Sequence, residues 1–222
     1  MSQELWNQVD AYINGLLVGR DEALEGALER SREAGLPGIN VAPNQGKLLH
    51  LLARIQGARR ILEVGTLGGY STIWLARAVP DDGQVVTLEL DPQHAAVARA
   101  NLEAAGLSAK VTVVEGRAID SLETLRAEAA DPFDLVFIDA DKQSNADYVR
   151  ASLGLTRPGS VIIVDNVVRS GAVVDAASED AMVQGTRRLN DYLASEPRLS
   201  ATEVQTVGSK GHDGFALALV LP

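Results

Sequence analysis

Five apolar, β-branched runs recur along the middle of the chain, one every 24 to 26 residues, and each carries an acid at or near its carboxyl end. They are RRILEV (59–64), QVVTLEL (84–90), KVTVVEG (110–116), DLVFID (134–139) and SVIIVD (160–165). Near-continuous apolar runs suit parallel strands covered on both faces. Between them lie segments of helical periodicity. The clearest are STIWLARAV and PQHAAVARANLEAAG, the second opened by Pro92 and closed by Gly106. Repeated strand–helix units predict a doubly wound α/β sheet with helices on both faces. The C-terminus breaks the rhythm: TEVQTVGSKGHDGFALALVL reads as strand, glycine turn, strand. The expectation is a Rossmann-like, seven-stranded sheet, mostly parallel, ending in an antiparallel hairpin. Residues 1–57 read as helical with a break at GLPGINVAPNQG (35–46), where Asn44 is expected to cap the next helix. One domain is therefore expected over 1–222, with a helical cap (1–57) and a cofactor-binding core (58–222).

Bulk properties narrow the partners. The net charge of −10 and the lack of any lysine- or arginine-rich run argue against nucleic acid and favour a small-molecule substrate. No apolar run approaches the roughly 20 residues of a membrane span. The start of the chain shows no basic segment followed by an apolar one, so no secretory signal is expected. With no cysteine there are no disulfides, thiolate metal sites or cysteine nucleophiles. A cytoplasmic protein is the reading that fits.

The acids Glu63, Glu89, Glu115, Asp139 and Asp165 fall at or near the carboxyl ends of the runs. Ligands of open α/β sheets bind in the crevice outside those ends. A single acid there only solvates a strand end; five on one edge predict a site that handles hydroxyls, an amine or a metal. EVGTLGGYS (63–71) follows the first run and opens a helix, so its glycines permit a tight turn and close backbone approach. The spacing is not G-x-G-x-x-G, because Leu67 stands where a second glycine would be. Glu89, about 20 residues on, is placed to bind ribose hydroxyls. The reading is a nucleoside cofactor. A ligand with both an amine and a carboxylate would meet Ser71 and loop N–H groups on one side and Glu63 or Asp141 on the other. S-adenosylmethionine (SAM) fits that description better than a dinucleotide.

DADK and DN end the fourth and fifth runs. If those strands are neighbours, Asp139, Asp165 and Asn166 form half a shell of hard oxygens suited to Mg²⁺ or another divalent cation. The plainer alternative is that the acids cap turns and Asn166 supplies a left-handed residue. Lys142 lies three residues past Asp139. Most lysines are merely solvated, but positive charge nearby favours a neutral amine, which can take a proton from a phenol.

INVAPNQGKLL, ILEVGTLGGYSTIWLA, TLELDPQHAAVAR, FDLVFIDADK, RPGSVIIVDNV and DGFALAL together resemble the cation-dependent class I O-methyltransferases of bacterial type. That group holds catechol and caffeoyl-CoA O-methyltransferases. The resemblance implies that Val41, Glu63, Gly65, Thr66 and Ser71 line the SAM pocket. Glu89 would hold the ribose, Ala118 would lie by the adenine, and Asp141 would meet the methionine end. It further implies Asp139, Asp165 and Asn166 as metal ligands, Lys142 as general base, a vicinal-diol acceptor and a homodimer. After VDN the chain reads VVRSGAV, with Arg169 and Ser170, where the plant enzymes carry a Trp-Asn-Gly stretch that contacts substrate. The basic residue those enzymes use for a CoA ester has no match either. A free catechol or secondary metabolite is therefore expected.

Other side chains read as structural: His50 as packed or on a rim, His94 on a surface helix, His212 in the hairpin turn, and Trp6, Trp74 and Phe215 as core or interface. Tyr148 is a minor candidate for the acceptor border. Two rival functions compete. A nicotinamide dehydrogenase would show G-x-G-x-x-G and leaves DADK and DN without a role. A non-catalytic SAM-binding protein would not need Lys142.

Overall fold

The computed structural model describes residues 2–128 and 131–222. Helices α1 (Gln3–Ile13), α2 (Glu22–Glu33) and α3 (Pro43–Gln56) precede the alternating part. That part comprises β1 (Arg60–Val64), α4 (Tyr70–Ala76), β2 (Gln84–Glu89), α5 (Pro92–Ala104), β3 (Val111–Glu115), α6 (Ala118–Ala127), β4 (Phe133–Ile138), α7 (Asn145–Leu153) and β5 (Thr156–Asp165). α8 (Ala181–Ser195) leads into the hairpin β6 (Leu199–Gly208) and β7 (Gly211–Val220). The sheet order is β3-β2-β1-β4-β5-β7-β6. The first five strands pair in parallel; β7 runs antiparallel to both β5 and β6. This is the expected seven-stranded sheet.

Local chemistry explains the element ends. Asp91 caps α5 by accepting from Gln93 N, Pro92 takes the first helical position, and Gly106 turns left-handed (φ 70°) past the end. The start of α3 differs from expectation. Its cap is Ala42 with Pro43 at the first position, and Asn44 already lies inside the helix, its amide donating to Asp10. Proline's fixed φ sets the entry without a side-chain cap, which displaces the boundary from Asn44. β5 also begins earlier than the apolar run. Thr156 pairs with Phe133, and the register then shifts before Val161 meets Leu135.

Successive strand residues point to opposite faces, and the chain packs both. Leu62, Val136, Ile138, Ile162 and Val164 meet Leu122, Val149, Leu153 and Leu189 of α6, α7 and α8. On the other face Ile61, Val85, Leu135, Phe137 and Ile163 meet Leu49, Ala53, Ile73, Leu75 and Leu102 of α3, α4 and α5. Every residue of β4 is buried. Each such Leu, Ile or Phe contributes about 1.5–3 kcal/mol of burial, so the sheet centre is the rigid floor from which the loops project. Among the described residues, no helix is long and apolar enough to cross a membrane.

Candidate active site

The strand order reverses between β1 and β4, and a cavity of about 1220 Å³ opens outside the carboxyl ends of the strands. At its floor β1 and β4 nearly touch: Asp139 N donates to Val64 O at 2.8 Å. Gly65 (φ 97°) makes that approach feasible, because a Cβ there would stand 2.1 Å from Asp139 O. The glycine loop is held by the acid that ends β2. Glu89 Oε2 accepts from Thr66 N (3.2 Å) and Leu67 N (2.7 Å), and Oε1 accepts from Asp91 N (2.9 Å). Two of the loop N–H groups are thus engaged by Glu89, which itself lines the cavity. Leu67 is left-handed (φ 50°), taking up the strain of the turn where a glycine was missing.

Val41, Gly65, Thr66, Ser71, Glu89, Ala118 and Asp141 all line this one cavity. Glu63 lies a layer behind. It is fully buried and accepts from Ser71 Oγ (2.6 Å), Thr72 Oγ1 (2.5 Å) and Thr87 Oγ1 (2.7 Å), so it reaches the cavity through Ser71. Burial outweighs the three hydroxyls and pushes its carboxyl up to about 7, with the Asp139 charge adding to the rise. Glu115 does not line the cavity; it pairs with Arg99 at the sheet's edge.

β4 and β5 are neighbours, and their ends set Asp139, Lys142, Asp165 and Asn166 side by side; Asp139, Lys142 and Asn166 line the cavity, while Asp165 is buried beside them. Lys142 Nζ lies 2.8 Å from Asp139 Oδ1 and is largely withdrawn from solvent. Asp165 Oδ1 accepts from Asn166 N at 3.0 Å, and Asn166 takes the left-handed conformation (φ 60°) that turns it to the cavity. Burial, then the charge of Asp139, raises the Asp165 carboxyl to about 7, while Lys142 opposes the rise. Among the described residues no three His, Asp or Glu side chains form a metal cluster, so the donors here are two carboxylates and an amide. Two acids that repel one another beside one ammonium are short of positive charge. A hard divalent cation fits that set.

Asp141 accepts from Tyr148 OH at 2.6 Å, and burial together with this bond pushes the phenol up to about 12. Tyr148 lines the cavity, as does His94, whose Nδ1 lies 3.7 Å from Glu89 Oε1. His94 was expected on a surface; the turn of α5 behind its Asp91 cap returns it to Glu89. Ile39, Arg169 and Met182 also line the cavity. His50 packs edge-on against Trp74 with Nδ1 3.2 Å from Trp74 O, and His212 contacts Gln205, so neither joins the site.

A family model described as O-methyltransferase matches residues 18–220. A catechol O-methyltransferase of Niastella koreensis is 50% identical over 99% of this chain and 100% of its own. The O-methyltransferase from Bacillus cereus, solved in complex with SAH, superposes with a TM-score of 0.97 at 54% identity, covering 99% of this chain and 100% of that one. TomG from Streptomyces achromogenes, an O-methyltransferase involved in tomaymycin synthesis and solved in complex with SAM, gives 0.96 at 52%, with both chains fully covered.

Proposed function

Because the chain belongs to the O-methyltransferase family, we propose that it transfers the methyl group of SAM to one oxygen of a catechol-like vicinal diol, aided by a divalent cation. The observation that carries this reading is the convergence of Asp139, Lys142, Asp165 and Asn166 beside the Glu89-held loop. The SAM- and SAH-bound neighbours support the donor, and the catechol O-methyltransferase relative supports the acceptor class.

In this reading Asp139, Asp165 and Asn166 hold the cation, which when bound supplies positive charge favouring an ionised diol. SAM when bound supplies the activated methyl. Glu89 accepts from the ribose hydroxyls, Ala118 lies against the adenine, and Asp141 faces the amine of the methionine end. Val41, Gly65, Thr66 and Ser71 form the wall, and Glu63 fixes Ser71 from behind. In its neutral form Lys142 Nζ would take the phenolic proton, and its near-complete burial keeps bulk water from competing for it. Holding donor and acceptor in line supplies most of the rate.

The whole chain acts as one domain in this account, with residues 1–57 walling the acceptor side. Tyr12, Leu16, Leu17, Leu51 and Ile55 leave an exposed apolar face on the N-terminal helices, which supports a homodimer. Methyl-labelled SAM offered with catechol or phenol, with Mg²⁺ or with EDTA, tests the function. Label should pass to catechol only with Mg²⁺ and not to phenol. Equal transfer to phenol, or transfer indifferent to EDTA, would refute it.

A further inference from the structure

We propose that Arg169 recognises the acceptor and that the preferred acceptor is a catechol whose ring bears a carboxylate. The inference rests on the diol reading above and adds the class of substituent. Arg169 stands three residues past Asn166 and lines the same cavity as Asn166, Lys142, Ile39 and Met182. It follows β5, whereas Ser71 and Asp141, expected at the methionine end of SAM, follow β1 and β4. Along the order β1-β4-β5 it thus lies farthest from Ser71, which marks it for the acceptor in this reading.

The backbone around it is built for precision. Arg169 and Ser170 are both left-handed (φ 55° and 56°), a conformation that costs non-glycine residues energy. Asp213 Oδ1 holds the turn by accepting from Val168 N (3.0 Å), Arg169 N (3.1 Å) and Gly214 N (3.0 Å). That oxygen is therefore spent on the backbone. The other stands 3.9 Å from Arg169 Nη1, beyond hydrogen-bond reach.

The guanidinium is correspondingly short of acceptors. Nε is shut off from solvent and faces the protein, so Nη1 and Nη2 form the edge a ligand can reach, and Nη1 has no hydrogen-bond partner. Nη2 meets only the weak acceptor Met182 Sδ at 3.6 Å. A carboxylate set against the Nη1–Nη2 edge gains two parallel charge-assisted bonds. Ile39 and Met182, both apolar and exposed, line the same cavity and offer apolar contact to a ring.

The test compares 3,4-dihydroxybenzoate with 3,4-dihydroxybenzamide at saturating SAM and Mg²⁺, using the wild type, Arg169→Gln and Arg169→Lys. The wild type should favour the acid by roughly tenfold or more in kcat/KM, mostly through KM. Arg169→Gln should lose most of that ratio, and Arg169→Lys, which keeps charge but not the fork, should fall between. If Arg169→Gln does not fold, a Lys variant matching the wild-type ratio overturns the proposal. Equal ratios in wild type and Arg169→Gln also overturn it, as does an effect confined to SAH affinity by calorimetry. No turnover of either diol by the wild type would sink the diol reading itself, and this inference with it.

Discussion

Lys142 Nζ and Asp139 Oδ1 stand 2.8 Å apart at the end of the most deeply buried strand, three residues apart in sequence. The pair joins the proposed base to a proposed cation ligand. A cation seated on Asp139 would compete with the lysine for that carboxylate and free Nζ to face the acceptor.

Removing that amine should strike turnover and spare binding. Lys142→Met is expected to lower kcat by about 10²–10⁴-fold, the usual range for a general base, with SAH affinity changed less than about threefold. Steady-state kinetics and calorimetry together check this; a kcat within about tenfold of wild type would speak against the role.

Asp165 gives a prediction in which stability and binding part ways. Its carboxyl is raised to about 7 by burial and by Asp139, so at pH 8 without metal its charge is a cost to the fold. Asp165→Asn should melt no lower than wild type in EDTA. Added Mn²⁺ should raise the wild-type melting temperature by a few degrees, a shift of about 1–2 kcal/mol at this size, and leave the variant unmoved. A similar metal-induced rise in both proteins would contradict it.

Glu63 sets a pH dependence whose sign is the reverse of a salt-bridged acid. Its folded value near 7 lies above the ordinary 4.5, so the folded state holds the proton longer than the unfolded chain. Stability is then greatest below about 4.5 and falls as pH rises through 7, by about 3 kcal/mol for this group. Asp165 acts in an overlapping window. Urea melts in EDTA between pH 5 and 8 should slope downward, and Glu63→Gln should flatten the slope without abolishing it. An unchanged slope would mean that Glu63 stays ionised throughout.

Glu89 spends both oxygens on backbone N–H groups and still lines the cavity. Glu89→Gln should raise the SAH dissociation constant by roughly tenfold or more and change kcat at saturation far less. A variant that binds SAH as the wild type does would leave the ribose role without support.

Gly185 on α8 packs so closely on the lysine's segment that a Cβ would stand 2.4 Å from Lys142 O and 2.6 Å from Gln143 Cα. Both are backbone atoms with little room to give. Gly185→Ala is expected to cost about 1–3 kcal/mol and to slow turnover, read by melting and by kcat. Wild-type values of both would show that the segment yields freely.

The sheet was legible because its signals are local: apolar runs of fixed spacing, Pro92 and Gly106 at helix ends, and a glycine turn before β7. The site acids were legible for a related reason, since strand ends mark the ligand edge. What escaped depends on packing between distant segments. Glu63 ends a strand as the others do, yet the hydroxyls of Thr72 and Thr87 draw it behind the wall. His94 has no motif, and only the return of α5 toward Glu89 brings it to the cavity. Asp213 lies 44 residues from Arg169, and the β5–β7 pairing alone makes it the anchor of that loop. Asn44 was misread because a good capping residue stood two positions past Ala42, where Pro43 had already started the helix.

If Asp139, Asp165 and Asn166 hold the cation on which the diol is methylated, the metal can be located directly. Crystals grown with SAH, catechol and Mn²⁺ would test it by anomalous diffraction. One strong peak is expected within coordination distance of all three residues and of both catechol oxygens, with Lys142 Nζ beside the nearer oxygen. A peak elsewhere, or catechol seated in the cavity with no metal beside these residues, would contradict it.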